Sequence, residues 1–284
     1  MALPNEIGRT PARRAVLTAF AWLIGVLFAA PLLFMLTSSL RPGEDILANI
    51  SRITVHTFVP TTWTLDNYRT LVAGEFGRAV FNSLLVSAVT VVAGLVLCSL
   101  AAFGLSALRF RGMGVLFGLV VLSFLIPFDA IAIPLSALFR DWHLANTYLG
   151  LILPGVGNGL AVFVLRQFFL NIPRELTEAA RVDGLHWFGV YWRIYMPLSK
   201  PALIGAGFML FLFQWQAYLW PLLIGTDPTK VLGPIALANL NGQFKVDFGA
   251  IFAGSVLLTL VPAVLLLLFQ RHFTGSLAAT TSKD

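Results

Sequence analysis

The chain has 284 residues, 58% hydrophobic and 11% charged, with a mean hydropathy of +0.84. A soluble domain carries about 25% charged residues, so the composition excludes a water-soluble enzyme, a nucleic-acid-binding domain and a disordered chain. The formal charge of +6 fits basic loops retained in the cytoplasm, and a single cysteine, Cys98, allows no intrachain disulfide.

A membrane-crossing helix needs about 20 mostly apolar residues. Stretches free of Asp, Glu, Lys and Arg predict six: Ala15–Leu40, Ala79–Leu108, Gly112–Phe128 (continuing past Asp129 to Phe139), Trp142–Leu165, Pro201–Thr226 and Phe248–Gln270. The third is interrupted by Pro127, Asp129 and Pro134. The first follows Arg9, Arg13 and Arg14 as a signal peptide would, but it exceeds a signal's apolar core and reads as an uncleaved span. Placing both ends in the cytoplasm puts 12 of the 19 basic residues inside, which sets the expected orientation. The expectation is an all-α integral membrane protein with six transmembrane helices and both termini cytoplasmic.

The loops are uneven. Residues 41–78 form a long outer segment, Arg109-Phe-Arg-Gly112 a tight inner turn, and residues 227–247 an outer loop with turn signals at Gly233-Pro234 and Asn241-Gly242. The largest inner loop, Arg166–Lys200, carries the most information. Asn171 is placed to cap a helix and Pro173 suits its first turn. Ile172, Leu176 and Ala179/Ala180 recur as one apolar stripe. Arg174 and Glu178, four apart, suit an ion pair, and Gly184 suits the helix stop. A second short helix, Leu185–Met196, is expected to stop at Pro197. The residues leave two readings open for this projection: docking onto another protein through its two alanines, or lying on lipid headgroups through Leu185, Trp187, Phe188, Tyr191 and Trp192.

The fifth span crowds Gln214, Trp215, Gln216, Tyr218 and Trp220 together. Aromatic faces and amides suit a sugar; ordinary helix packing suits them equally. Asp129, the one acid within a span, and Asn158 and Gln167 near the fourth are similarly open between substrate contact and packing.

At the inner loop the sequence resembles the permeases of ATP-binding-cassette importers. Glu178-Ala179-Ala180, Asp183-Gly184, Ile194 and Met196-Pro197-Leu198 are similar to their EAA signature, with Met196 in place of a leucine. Ser38-Ser39-Leu40-Arg41, Asn67-Tyr68, Phe81-Asn82-Ser83, Phe110-Arg111-Gly112, Asn146-Thr147 and Pro221-Leu222 resemble the sugar-uptake subclass, the maltose and glycerol-phosphate type. Two stretches depart from it: Trp215-Gln216 stands where that subclass has Trp-Asn, and the tail from Gly275 to Asp284 lacks the Lys-Gly ending.

The resemblance implies a type I ABC importer permease fold in a bacterial or archaeal cytoplasmic (inner) membrane. Residues 1–76 would hold the N-terminus, first span and outer loop, residues 77–271 the five-helix core with the coupling loop at 166–200, and residues 272–284 a cytoplasmic tail. It implies a non-catalytic subunit. Glu178, Ala179, Ala180, Asp183 and Gly184 would couple it to ATPase subunits that bind ATP and Mg, while Gln214, Trp215, Gln216, Tyr218 and Asp129 are the pathway candidates. A second homologous permease, an ATPase dimer, an extracytoplasmic substrate-binding protein and membrane lipid are the implied partners. No Gly-x-x-x-x-Gly-Lys-Ser/Thr occurs, so the chain has no phosphate-cradling loop of this kind. The alternative, an ion-coupled secondary transporter, would place ionisable residues inside the membrane, and here Asp129 stands alone.

Overall fold

The computed structural model describes residues 11–50, 55–241 and 246–281. In chain order its helices are α1 (Pro11–Ser39), α2 (Gly43–Ile50), α3 (Val55–Phe58), α4 (Asp66–Ala73), α5 (Glu75–Ala107), α6 (Met113–Leu125), α7 (Phe128–Asp141), α8 (Tyr148–Val156) and α9 (Gly159–Phe169). Then follow α10 (Arg174–Val182), α11 (Trp187–Val190), a π-helical turn Tyr191–Tyr195, α12 (Met196–Leu198), α13 (Lys200–Trp215), α14 (Leu219–Ile224), a 3₁₀ turn Pro228–Lys230, α15 (Gly233–Asn239) and α16 (Phe248–Thr281). Among the described residues the only extended pairing is a single bridge between Asn241 and Val246.

Among the described residues three helices are long and apolar enough to cross a membrane: Arg13–Ser39, Glu75–Ala107 and Phe248–Gln270. Three bent pairs bring the number to as many as six: α6 with α7 at 95°, α8 with α9 at 41°, and Trp187–Leu198 with α13 at 83°. The break in the third span was legible from Pro127, which sits extended at φ −63°, ψ 129° ahead of α7. The fourth span begins six residues later than expected, because His143 and Asn146 hold positive φ and Thr147 caps α8 by accepting from the Gly150 amide at 2.9 Å.

The fifth span differs most. It was expected to run unbroken to Thr226, yet α13 ends at Trp215 and α14 begins at Leu219. Pro221 explains the break. In a continuous helix its ring would clash with the Ala217 carbonyl, and it has no amide hydrogen to offer that oxygen. Two smaller corrections follow. The short helix in the inner loop runs from Trp187 through Pro197 to Leu198, and Gly233-Pro234 opens a helix instead of a turn. Pro fits such first-turn positions because their amides are unpaired anyway. The Asn241-Gly242 turn falls partly outside the described residues, and the expected tail is helical to Thr281.

The chain divides into two compact units, 1–74 with 240–257 and 75–239 with 258–284, so residues 240–257 group with the first unit and not with the expected 77–271 core. In the first unit, Arg41 is buried and its guanidinium donates to the His56 and Thr57 carbonyls at 3.1 Å each. Asn67 donates to the carbonyls of Ser39 and Arg41, and the Ser39 and Tyr68 hydroxyls meet at 2.6 Å. Phe34 meets Phe252 edge to face at 5.4 Å. The hydrogen bonds hold the end of α1 to the segment that follows it, up to Tyr68.

In the second unit, α5 is the central strut. One core cluster gathers Cys98, Ala102 and Phe103 of α5 with Leu165 and Phe169 of α9, Tyr191 and Tyr195, and Leu210 of α13. A second gathers Val86, Phe139, Leu151, Trp220 and Ile224. Helix α9 approaches α6 closely at Gly159, where a Cβ would lie 2.5 Å from Ser123 Oγ and 2.8 Å from the Val120 carbonyl.

Candidate functional site

Helix α10 starts directly after Pro173 at φ −55°, ψ 132°, with no side-chain cap. Asn171 is not its cap; its amide donates back to the Gln167 carbonyl at 2.9 Å. Glu175 stands in the first turn and Arg181 in the last, each complementing the helix dipole. The stop is as expected. Gly184 sits at φ +83°, and the Leu185 amide reaches the Ala180 carbonyl at 3.0 Å, a six-residue closure typical of a left-handed glycine cap.

The expected apolar stripe splits in two. Ile172, Thr177 and Ala180 are buried, whereas Leu176, Ala179 and Val182 are exposed and follow one another at three-residue steps along an adjoining stripe. Val182 is 88% exposed. The two alanines therefore point apart, because they are successive residues about 100° apart on the helix. Glu178 and Arg174 are exposed and do not pair; the ion pairs among the described residues lie elsewhere. Asp183 is the C-terminal cap of α10.

The inward face is tied to the membrane helices by groups to which the sequence pattern gave no such role. Thr177 Oγ1 and the Tyr195 hydroxyl meet at 3.2 Å, and the Tyr191 hydroxyl meets Ser99 Oγ of α5 at 2.8 Å. Phe103 of α5 takes edge-to-face contacts from Trp187, Tyr191 and Tyr195 at 6.4, 5.4 and 4.8 Å. Arg181 donates to the Leu185 carbonyl at 2.7 Å and lies over the Trp187 ring. Tyr191 and Tyr195 are four apart, a spacing that would have marked a shared face, but their targets lie far along the chain. Of the aromatics that looked membrane-facing, Phe188 and Trp192 are exposed and Tyr191 is buried.

The fifth-span candidates separate just as clearly. Gln214 is buried, with its Oε1 2.5 Å from where a Gly155 Cβ would be. Trp215 is buried too, stacked on Phe211 at 5.3 Å, and its indole Nε1 donates to the Leu258 carbonyl at 3.1 Å. That carbonyl would ordinarily accept from residue 262, which is Pro262, inside α16. Trp220 repeats the device: its Nε1 donates to the Gly150 carbonyl at 3.1 Å, and residue 154, its ordinary donor, is Pro154 inside α8. Each indole thus satisfies an oxygen that a proline has orphaned, which matters where no water can do so. In an unbroken helix Trp215 and Tyr218, three apart, would share a face; the break at Gln216 removes that geometry. Gln216, Tyr218 and Asp129 are exposed, Asp129 in the first turn of α7. Asn158 caps α9 by accepting from the Ala161 amide, and Gln167 is exposed.

On the other side, Asn82 donates to the Thr229 and Val231 carbonyls and accepts from the Tyr148 hydroxyl. It fixes the 3₁₀ turn, where Lys230 and Thr229 hold the Asp227 carboxyl well below the usual range, chiefly through the Lys230 hydrogen bond at 2.7 Å. Among the described residues no three His, Cys, Asp or Glu side chains are grouped to hold a metal ion.

Residues 94–278 match the family model for the binding-protein-dependent transport system inner membrane component. The arabinooligosaccharides transport system permease protein AraQ of Halalkalibacterium halodurans is 34% identical over 276 residues, covering 93% of this chain and 97% of the relative. The trehalose transport system permease protein SugB of Mycobacterium tuberculosis is 32% identical, covering 96% and 99%. The sn-glycerol-3-phosphate transport system permease protein UgpE of Yersinia enterocolitica is 30% identical, covering 86% and 84%. A bacterial ABC transporter involved in the import of the acidic polysaccharide alginate shares the fold, with a TM-score of 0.80 at 20% identity over 94% of this chain and 99% of that one. The fold of bent and straight spans, the glycine-capped EAA helix and these likenesses lead to one assignment: the chain belongs to the binding-protein-dependent transport system inner membrane component family, the non-catalytic permeases of ABC transporters.

Proposed function

We propose that the chain is a permease subunit of an ATP-driven importer for a sugar or sugar derivative in a bacterial or archaeal cytoplasmic membrane. It forms half of the translocation pathway beside a second, homologous permease. A dimer of ATPase subunits binds ATP and Mg and receives α10, and an extracytoplasmic binding protein delivers the substrate. The relatives named for arabinooligosaccharides, trehalose and sn-glycerol-3-phosphate support the substrate class. A solved alginate transporter captured with a pentasaccharide-bound periplasmic protein, with a TM-score of 0.63, supports the binding protein.

The observation that carries the coupling role is the outward face of α10. Leu176, Ala179 and Val182 are exposed on a helix whose other face is bonded into the core. Exposed Glu178 flanks them. Gln216, Tyr218 and Asp129 remain the pathway candidates, since Gln214 and Trp215 are buried. The test is reconstitution of the complex with its binding protein in liposomes. Uptake of a radiolabelled sugar should require ATP and the ATPase; uptake driven by an ion gradient without ATP would overturn the reading. Orientation is checked in sealed cells by a membrane-impermeant thiol reagent. Trp63→Cys should be labelled and Leu176→Cys should not.

A further inference from the structure

Helices α5 and α6 form a hairpin splayed over α9. The Gly159 approach, the stacked Phe117–Phe163 pair at 5.9 Å and Arg166 fill the rear. Arg166 donates from Nε to the Leu105 carbonyl at 2.9 Å and lies 3.9 Å over the Phe117 ring. In front lies a cavity of about 520 Å³, lined by Ala101, Gly104, Phe110, Leu116, Leu119 and Ser123 among others. Helix α6 has no buried residue, and a Cβ on Gly104 would meet nothing within 4 Å. The groove therefore has room for a larger side chain at Gly104.

The lining residue Phe110 is flanked in sequence by Arg109 and Arg111, both exposed and neither paired with an acid among the described residues. No acidic residue occurs in the whole stretch from Phe76 to Phe128, and α9 behind it contributes only Arg166. We propose that this groove is a binding site for one anionic glycerophospholipid, its acyl chain lying between α5 and α6 and its headgroup on Arg109 and Arg111. Hydrocarbon fills an apolar groove that faces the bilayer. Two guanidiniums without acids beside it then select a net negative headgroup over a zwitterionic one, whose own amine offsets the phosphate. This site does not depend on the transported substrate or on the coupling role of α10.

The test uses the assembled complex in nanodiscs of equal phosphatidylglycerol and phosphatidylcholine, followed by native mass spectrometry of the lipids retained on this chain. Phosphatidylglycerol should be enriched. Arg109→Gln and Arg111→Gln should each reduce its retention roughly five-fold, the factor for one basic side chain at an anionic surface. Gly104→Leu, which has open space to enter, should reduce retention of both lipids by filling the groove. Equal retention of the two lipids by the native protein would overturn the proposal, as would native-like phosphatidylglycerol retention in the double arginine variant. So would efficient cross-linking of Gly104→Cys to a neighbouring protein chain, because the groove would then be a protein interface.

Discussion

The two ends of α13 make opposite use of similar side chains. At its start, the aromatics of the inner loop reach across to α5 and α9 and fasten a helix whose outer face is left bare. At its end, Trp215 and Trp220 turn inward to satisfy α16 and α8, leaving the less specialised Gln216 and Tyr218 exposed. An aromatic-rich stretch is thus no guide to an exposed site. What separates the two ends is whether a neighbouring backbone needs the ring's hydrogen-bond donor.

The sharpest way to break this contrast is at the start of α13. Gly184→Pro forces φ from +83° to about −65° and should abolish substrate-stimulated ATP hydrolysis by the assembled complex while the protein still enters the membrane. Glu178→Lys should reduce the stimulation strongly. Wild-type stimulation in both variants would remove α10 from the coupling role.

A second measurement addresses the other end of α13. Trp215→Phe keeps the stack on Phe211 and leaves the Leu258 carbonyl unpaired, which should cost about 1–3 kcal/mol of stability. In a Pro262→Ala background the helix can supply its own amide, so the same change should cost measurably less. Equal costs in both backgrounds, read by denaturant unfolding in detergent, would show that the indole is ordinary packing.

A smaller effect is expected at Gln216. Gln216→Leu should slow uptake a few-fold to ten-fold, equivalent to about 0.5–1.5 kcal/mol for a lost hydrogen bond, with ATPase assembly intact. Ala217→Leu serves as the comparison. Equal defects, or none in either, would withdraw the exposed residues from the pathway.

The smallest lies outside both ends, at Asp227. A carboxyl held below its usual range stabilises the fold above its unfolded pKa, and that contribution is lost as pH falls through the folded value. The stability gap between the native protein and Asp227→Asn should therefore be open at neutral pH and close in strong acid.

The inner loop was legible in the sequence because its instructions are local: Pro173 begins the helix, Gly184 ends it, and the EAA residues lie between. The face assignment was not legible, since Leu176 and Thr177 exchange the roles their hydrophobicity suggests once Tyr195 offers Thr177 a partner. The fifth span misled for a related reason. Its composition is continuous, and Pro221 acts on a carbonyl four residues earlier, so the break appears where the sequence has neither glycine nor proline. The donors that repair Leu258 and Gly150 come from 43 and 70 residues away, beyond any periodicity.

A proline inside a helix is a natural flexion point, and here the carbonyl that each of two such prolines leaves unpaired is held from outside by an indole. Bending α16 at Pro262 must either carry Trp215 along or strand a carbonyl in hydrocarbon, and bending α8 at Pro154 makes the same demand of Trp220. Those two tryptophans flank the break between α13 and α14. Both prolines are thus tied to the segment around one joint, Gln216–Tyr218, through a single indole each.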